Sequence, residues 1–150
     1  MPIKIRAAEI RDCDRMMELI RELAEYEKAP DAVTVSLDHF QNAGFGKNPV
    51  WHALVAKTDD GIVGFALWYT RYSTWKGTRL YLEDIIVTES HRGKGTGRML
   101  FDAVTDEARN RGMTGMMWQV LDWNEPAIRF YNKTKGVRME SGWLNAHLDF

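Results

Sequence analysis

The sequence predicts a single α/β domain in which a mixed sheet carries helices on its faces. Three observations support this class. Apolar stretches of strand length alternate with stretches of helical periodicity, a glycine-rich turn joins a strand to a helix, and the 150 residues match the usual size of one domain. The predicted order of elements is β-α-α-β-β-β-α-β-α-β. We therefore expect one domain over residues 1–150.

The N-terminal part of the chain predicts one strand and two helices. Residues 3–6 have the pattern of a short strand. Asp12 to Lys28 predicts a helix, because its apolar residues recur every three or four positions, and Pro30 ends it. Cys13 lies on the apolar stripe, so we expect a buried thiol. A second, shorter helix is predicted over residues 36–43.

The middle of the chain predicts a hairpin followed by a central strand. Residues 50–57 and 62–69 flank Thr58-Asp59-Asp60-Gly61, a turn signal for an antiparallel hairpin. Residues 71–79 are expected to form a loop. Leu80 to Val87 follows as a strand that is apolar on both faces, which is typical of a central position in a sheet.

The C-terminal part predicts two helices and two further strands. A helix is expected over residues 98–110 and a strand over 115–121. Asn124 is a helix N-cap residue, and the helix that it begins ends by Gly136. Residues 137–150 are expected to form one more strand or a hairpin.

Composition and charge exclude several classes of protein. A net charge of −1 gives no general attraction to nucleic acid. No apolar run approaches the roughly 20 residues of a membrane span, and residues 1–6 lack the apolar core of a signal peptide, so we expect a cytoplasmic protein. The four histidines show no spacing typical of metal ligands, and we expect no metal.

A basic, glycine-spaced turn at Arg92-Gly93-Lys94-Gly95-Thr96-Gly97 precedes the helix over residues 98–110. Glycines let successive backbone N–H groups point into one concavity, and the first turn of a helix leaves N–H groups unpaired, so the turn suits a pyrophosphate. It is neither a Walker loop nor a dinucleotide-binding Gly-x-Gly-x-x-Gly. Taken alone, the pattern fits a phosphate site and an ordinary strand-to-helix loop equally well.

Two further groups are candidates for chemistry. Glu83 and Asp84 lie in an otherwise apolar strand, where a carboxylate without a task costs free energy. Without a bulge, neighbouring residues on a strand point to opposite faces, so at least one of the two is expected to be structural. Tyr131 lies in the last predicted helix, where a core aromatic is the common explanation.

Several motifs in a fixed order resemble the GCN5-related N-acetyltransferase (GNAT) superfamily. Its pyrophosphate loop has the form Gln/Arg-x-x-Gly-x-Gly/Ala, which residues 92–97 match. Other stretches resemble its diamine and polyamine N-acetyltransferase branch, and within it most of all the thialysine acetyltransferases. These stretches are Ile20-Arg21-Glu22-Leu23-Ala24-Glu25-Tyr26-Glu27, Gly44-Phe45-Gly46, Tyr72-Ser73-Thr74-Trp75-Lys76-Gly77, Tyr81-Leu82-Glu83-Asp84 and Val120-Leu121-Asp122-Trp123-Asn124-Glu125-Pro126.

The resemblance implies a mixed, mostly antiparallel sheet of six to seven strands flanked by about four helices and splayed at the cofactor site. It also implies acetyl-CoA as co-substrate. The implied cofactor-binding residues are Ile85, Ile86, Val87, Arg92, Gly93, Lys94, Gly95, Thr96, Gly97, Asn124, Glu125, Pro126 and Ala127.

The resemblance further implies Glu83 as the base that deprotonates the amine and Tyr131 as the acid that protonates the departing thiolate. An aliphatic amine, with a reference pKa near ~10.4, needs such a base before it can attack. We expect direct transfer in a ternary complex. The implied substrate-binding residues are Tyr26, Glu27, Trp75, Glu83, Asp84, Trp118, Gln119 and Val120.

Two departures from the branch bear on the substrate and leave alternatives open. Ser73 and Ser141 stand where polyamine acetyltransferases typically have acidic residues. Their loss favours a short amine such as thialysine, a lysine-like amino acid or a diamine over spermidine or spermine. A protein or peptide amine is the other alternative. A homodimer is expected by the same resemblance.

Overall fold

In the computed structural model, residues 2–150 form five strands that lie in one sheet, in the order β1-β2-β3-β4-β5. The structure describes residues 2–150, and Met1 of the N-terminal segment considered above lies outside the described residues. The strands are β1 (Lys4–Ala7), β2 (His52–Thr58), β3 (Gly61–Ser73), β4 (Gly77–Val87) and β5 (Met116–Trp118). Neighbours from β1 to β4 are antiparallel, and β5 is parallel to β4. The mixed, mostly antiparallel fold is confirmed, with fewer strands in residues 2–150 than the six to seven expected.

The described part of the chain also contains four α-helices, as expected: α1 (Cys13–Tyr26), α2 (Leu37–Phe45), α3 (Thr96–Asn110) and α4 (Glu125–Asn132). The Ser36 hydroxyl caps α2 by accepting a hydrogen bond from the backbone N–H of His39 at 3.1 Å. Within residues 2–150, no helix combines the length and the apolar character that a membrane crossing requires.

The main core lies between α1, α2 and one face of the sheet. Cys13 and Met16 of α1 and Phe65 of β3 have no exposed surface, which confirms the buried thiol. Trp68 points to the opposite face, where the guanidinium of Arg111, just after α3, lies 4.6 Å from its ring centroid. Helices α1 and α3 therefore cover opposite faces of the sheet.

The β3–β4 hairpin is longer than the sequence predicts. The expected loop over residues 71–79 is largely strand, since Arg71 pairs with Arg79 and Ser73 with Gly77. The Ser73 hydroxyl accepts hydrogen bonds from the N–H groups of Trp75 and Lys76 and closes the turn. Polar residues on an exposed hairpin lack the apolar alternation by which strands are recognised, which explains the error.

The C-terminal strands are the other correction. The strand expected over residues 115–121 has only the three residues of β5. The strand or hairpin expected over residues 137–150 is wrong, because this segment has no helix or strand and its last ten residues, 141–150, are all exposed. A strand forms only against a neighbouring strand, and apolar pattern alone does not supply one.

The described contacts group the chain into two compact units, the first running to Trp118 and the second comprising Gln119–Phe150. The sheet and α1 to α3 belong to the first unit, and α4 belongs to the second. The single domain over residues 1–150 stays a prediction.

Candidate active site

A β-bulge interrupts β4 at the two candidate carboxylates. Leu67 of β3 pairs with Asp84, but the next residue, Trp68, pairs with Leu82, so Glu83 is an extra residue without a partner in the ladder. Such an insertion resets the alternation of side chains along the strand. Opposite faces for Glu83 and Asp84 were expected only in a strand without a bulge. The bulge therefore removes that expectation.

Both carboxylates lie on the face of the sheet that α1 covers. Leu67 belongs to the core beneath α1, and Tyr69, two residues further along β3, shares its face. The Tyr69 hydroxyl donates to Oε1 of Glu83 at 3.2 Å. Asp84 lines a cavity together with residues of α1. The bulge thus brings two acidic groups together where the sequence pattern separated them.

The cavity beside Asp84 has an apolar wall and two carboxylates. Its volume is about 200 Å³. Burial, together with the nearby charges of Glu83 and Glu27, raises the pKa of Asp84 to about 7. Burial also raises the pKa of Glu27. The lining residues are Ile20, Leu23, Ala24, Glu27, Ala29, Ala32, Val33 and Asp84.

This arrangement suits a short alkyl amine. Methylene groups are favourable against Ile20, Leu23 and Val33, and a positively charged amine is attracted to carboxylates in a site of low dielectric constant. The volume lies below the roughly 300–1,000 Å³ of pockets for drug-sized ligands. The cavity is therefore matched to a small molecule in both charge and size.

Sequence reasoning missed Tyr69 as a member of this cluster. Burial raises the pKa of Tyr69 to about 12, and the charge and hydrogen bond of Glu83 contribute to the rise. Tyr69 consequently stays protonated at neutral pH and donates to Glu83. Its ring stacks on that of Tyr81, its cross-strand partner, with centroids 5.2 Å apart. A hairpin prediction could have paired residues 69 and 81. It could not have placed Glu83 beside Tyr69, because the bulge changes the register of β4 after Leu82.

The glycine turn has the geometry expected of an anion cradle. Gly93 and Gly95 adopt φ values of 76° and 85°, in the left-handed region that favours glycine. Gly95 is the N-cap of α3 and brings no side chain to cap the first-turn N–H groups. Thr96, 2% exposed, has a hydroxyl without a hydrogen-bond partner among the described residues. The start of α3 thus lacks a side-chain cap, and a buried hydroxyl without a partner among the described residues lies beside it.

The edge of β4 that leads into this turn is open. Pairing with β5 ends at Leu82 and Trp118, whereas β4 continues to Val87. Along residues 83–87 no described residue forms a ladder on the β5 side. The backbone groups of Ile85, Ile86 and Val87 are expected to contact the cofactor along this splayed edge.

Arg92, the first residue of the turn, has a structural contact of its own. Its Nε donates to the carbonyl of Val87 at 2.9 Å, and its guanidinium lies 5.5 Å from the ring centroid of Tyr26. The side chain thereby connects the end of β4 with the end of α1. The backbone N–H of Arg92 donates to the carbonyl of Glu89 at 3.2 Å, so the residue fixes the start of the turn through its backbone as well as its side chain.

The residues of the second unit that are predicted to bind the cofactor or to act as the acid have structural roles within α4. Asn124 caps α4 by accepting from the N–H of Ala127 at 3.3 Å, and Pro126 lies in the first turn. Tyr131 is 7% exposed, and its ring centroid lies 5.2 Å from that of Phe130. Their roles at the cofactor, with that of Glu125, stay predictions.

The remaining predicted substrate contacts are dispersed. Trp118 ends β5 and packs edge-on against Phe101, and Gln119 and Val120 begin the second unit. Trp75 is 91% exposed at the tip of the β3–β4 hairpin. It lies beyond Gly77, about 20 Å along β4 from Glu83, so the structure does not bring Trp75 to the carboxylates of its own chain.

Comparisons with known proteins agree with this architecture. The sequence profile of the acetyltransferase (GNAT) family matches residues 13–137. A thialysine N-epsilon-acetyltransferase of Bos taurus is 41% identical over 151 residues, covering 94% of this chain and 89% of that protein. Spermidine/spermine N(1)-acetyltransferase-like protein 1 of Homo sapiens is 34% identical over 149 residues, covering 93% of this chain and 21% of that protein.

A solved structure extends the likeness to the fold. The aminoglycoside acetyltransferase from an uncultured soil metagenomic sample, in complex with sisomicin, superposes with a TM-score of 0.81 at 19% identity. The match covers 98% of this chain and 97% of that one. Because the family profile spans most of the sequence and the bovine protein is similar along nearly the whole of it, the chain belongs to the GNAT acetyltransferase family and is an acyltransferase enzyme.

Proposed function

We propose that the protein transfers the acetyl group of acetyl-CoA to the primary amine of a small substrate: thialysine, a lysine-like amino acid or a diamine. The observation that carries this proposal is the pairing of Glu83 and Asp84 on one face beside an apolar cavity of about 200 Å³. The similarity to the bovine thialysine N-epsilon-acetyltransferase supports the same substrate class.

The turn and the start of α3 hold the cofactor. Left-handed glycines and the backbone N–H groups at the start of a helix fit a pyrophosphate, and the Thr96 hydroxyl, which has no hydrogen-bond partner among the described residues, adds a further polar group. The thioester supplies an acetyl group already activated for transfer. Backbone groups of Ile85 to Val87 on the open edge of β4 orient it, and Asn124 to Ala127 contact its far side.

Two proton transfers are assigned to side chains. Glu83 accepts the proton of the bound ammonium, directly or through a water molecule, and Glu27 and Asp84 hold the amine beside it. Tyr131 donates a proton to the departing thiolate. A backbone N–H of β4 stabilises the negative charge that develops on the carbonyl oxygen. Transfer is direct, in a ternary complex, and no acyl-enzyme forms.

A panel of acceptors tests the substrate class. We expect release of CoA from acetyl-CoA to be fastest, by kcat/KM, with thialysine, lysine or a short diamine, and slower with spermidine and spermine. The absence of acidic residues at Ser73 and Ser141 is the physical reason, because a polyamine needs several anionic contacts. Activity confined to peptide acceptors would overturn the assignment. Acetylated enzyme, seen by intact mass without an amine, would contradict direct transfer.

The substitution Tyr131→Phe tests the proposed acid. It removes the hydroxyl and keeps the ring, so we expect CoA binding to be retained while kcat falls by about 10²-fold or more. Tyr72→Phe is the matched control, since Tyr72 is 71% exposed on β3. Calorimetry for CoA binding and steady-state kinetics measure the two effects. Unchanged turnover would remove Tyr131 from the mechanism.

We also propose a cytoplasmic homodimer, with no nucleic acid or membrane as partner. The net charge of −1 and the single cysteine support the first part. Exposed apolar side chains in residues 137–150 support the homodimer.

A further inference from the structure

The carboxylate of Glu22, on α1, is hydrogen-bonded to the segment that leads from β4 into the glycine turn. The Thr88 hydroxyl lies 3.0 and 3.3 Å from its two oxygens, and the backbone N–H of Glu89 donates to it at 3.0 Å. Thr88 and Glu89 come directly after β4 and begin the short 3-10 turn Glu89–His91. A residue of the first helix thus caps the start of a segment 66 positions later in the sequence.

A second contact lies one helical turn further along α1. Tyr26, four residues after Glu22 and therefore on the same helical face, lies beneath the guanidinium of Arg92. Arg92 in turn donates to Val87. Helix α1 therefore contacts both ends of residues 88–92, immediately before the left-handed Gly93.

The glycines make this support necessary. Glycine loses more conformational freedom on ordering than any other residue, so a turn with Gly93 and Gly95 is costly to hold in one shape. A charge-assisted hydrogen bond from a backbone N–H to a carboxylate is about twice as strong as a neutral one. Fixing the start of the turn before the ligand arrives reduces the entropy lost on binding.

We propose that Glu22 is a positioning residue for the cofactor turn, acting through Thr88 and Glu89 to preorganise the backbone that receives the pyrophosphate of acetyl-CoA. This inference rests on the proposed function. Glu22 does not itself contact the anion, and its own negative charge opposes an anionic ligand. Positioning and charge therefore act on cofactor affinity with opposite signs.

The opposite signs make Glu22→Gln a discriminating variant. Loss of its charge alone tightens CoA binding. An amide oxygen, however, accepts weaker hydrogen bonds from Thr88 and Glu89 than a carboxylate does, and this loss of strength weakens CoA binding. We expect the dissociation constant for CoA and the KM for acetyl-CoA to rise about tenfold. At saturating acetyl-CoA, we expect kcat and the KM for the amine to stay within about twofold of wild type. Calorimetry well below the melting temperature keeps every variant folded during the measurement.

Glu18→Gln is the matched control. Glu18 lies one turn earlier on α1 and pairs with Arg15 at 3.0 Å, so its substitution removes the same charge without touching residues 88–89. We expect its CoA affinity to be equal to or slightly higher than that of wild type. Thr88→Val tests the other partner and Thr88→Ser its rescue, because serine keeps the hydroxyl. In the Glu22→Gln background, Thr88→Val should weaken CoA binding less than it does in the wild-type protein.

The outcomes separate the two levels of the proposal. A Glu22→Gln protein that binds CoA no more weakly than the Glu18→Gln control, with only a lower melting temperature, would show a structural role and overturn the inference. A fall in kcat without a change in CoA affinity would also contradict it. If the wild-type protein fails to bind CoA, the proposed cofactor is wrong and this inference falls with it.

Discussion

Asp84 is the residue whose ionisation the fold perturbs most clearly. Burial and the charges of Glu83 and Glu27 raise its pKa to about 7, against about 3.9 in an unfolded chain. Between these two values the folded protein binds the proton and the unfolded chain does not. The contribution of Asp84 to the free energy of unfolding therefore falls as pH rises from about 4 to about 7.

Asp84→Asn should remove that dependence. We expect the variant to gain about 2–4 kcal/mol in the free energy of unfolding, relative to wild type, at pH 8 and much less at pH 5. Urea denaturation at the two pH values measures the difference. Asp106→Asn, on the exposed side of α3, is the control and should change the free energy of unfolding by the same small amount at both pH values. A gain for Asp84→Asn that is equal at pH 5 and pH 8 would contradict a raised pKa.

Single residues also mark the limit of prediction from sequence. The chemistry of Glu83 and Asp84 was recognisable from two carboxylates in an apolar strand. Their common face was not, because the bulge exists only in the register between β3 and β4. Tyr69 and Glu22 were missed for the same reason. Tyr69 contacts a residue 14 positions away, and Glu22 contacts one 66 positions away. Local pattern contains no information about such pairings.

At the scale of elements, the turn between β4 and α3 depends on backbone conformation. Gly95 has a φ of 85°, and a Cβ at this position would meet no atom within 4 Å. The cost of Gly95→Ala is therefore conformational rather than steric, about 1–2 kcal/mol. Gly61, in the β2–β3 turn, has a φ of 93° and the same open surroundings. The two glycines share a left-handed backbone and open surroundings, but only Gly95 lies at the proposed cofactor site.

We expect Gly95→Ala and Gly61→Ala to lose similar amounts of unfolding free energy, about 1–2 kcal/mol each. Only Gly95→Ala should also weaken CoA binding, by about tenfold, because strain moves the N–H groups at the start of α3. Denaturation and calorimetry on both variants separate stability from affinity. Equal CoA affinity in the two would show that the left-handed turn is not part of the cofactor site.

Elements were predictable wherever the apolar pattern was long and had clear ends. Helices α1 and α3 and the β2–β3 hairpin lie close to their expected bounds. The outer half of the β3–β4 hairpin was missed, because Arg71, Tyr72 and Arg79 belong to an exposed ladder that has no apolar face. The error in residues 137–150 is the reverse. Apolar residues there suggested a strand, but the described chain offers them no ladder.

The whole molecule presents an unusual C-terminal segment. Trp143, Leu144 and Leu148 are 83%, 95% and 81% exposed. A tryptophan alone buries 150–250 Å² when covered, so leaving these side chains in water forgoes substantial hydrophobic stabilisation. Contiguous exposed apolar residues are typical of protein interfaces. A second copy of the chain covering this segment is the arrangement that we propose for the homodimer.

Light scattering tests this assembly. We expect the wild-type protein at micromolar concentration to have about twice the 17.3 kDa mass of one chain. The double substitution Trp143→Ser and Leu144→Ser should shift it toward the monomer, because both side chains lose the apolar surface that association buries. Val50→Ser, at a residue 65% exposed in the first unit, should leave the mass unchanged. A wild-type monomer would refute the dimer, and a double variant that stays dimeric would place the interface on another surface, since an interface centred on Trp143 cannot tolerate the loss of its largest apolar group.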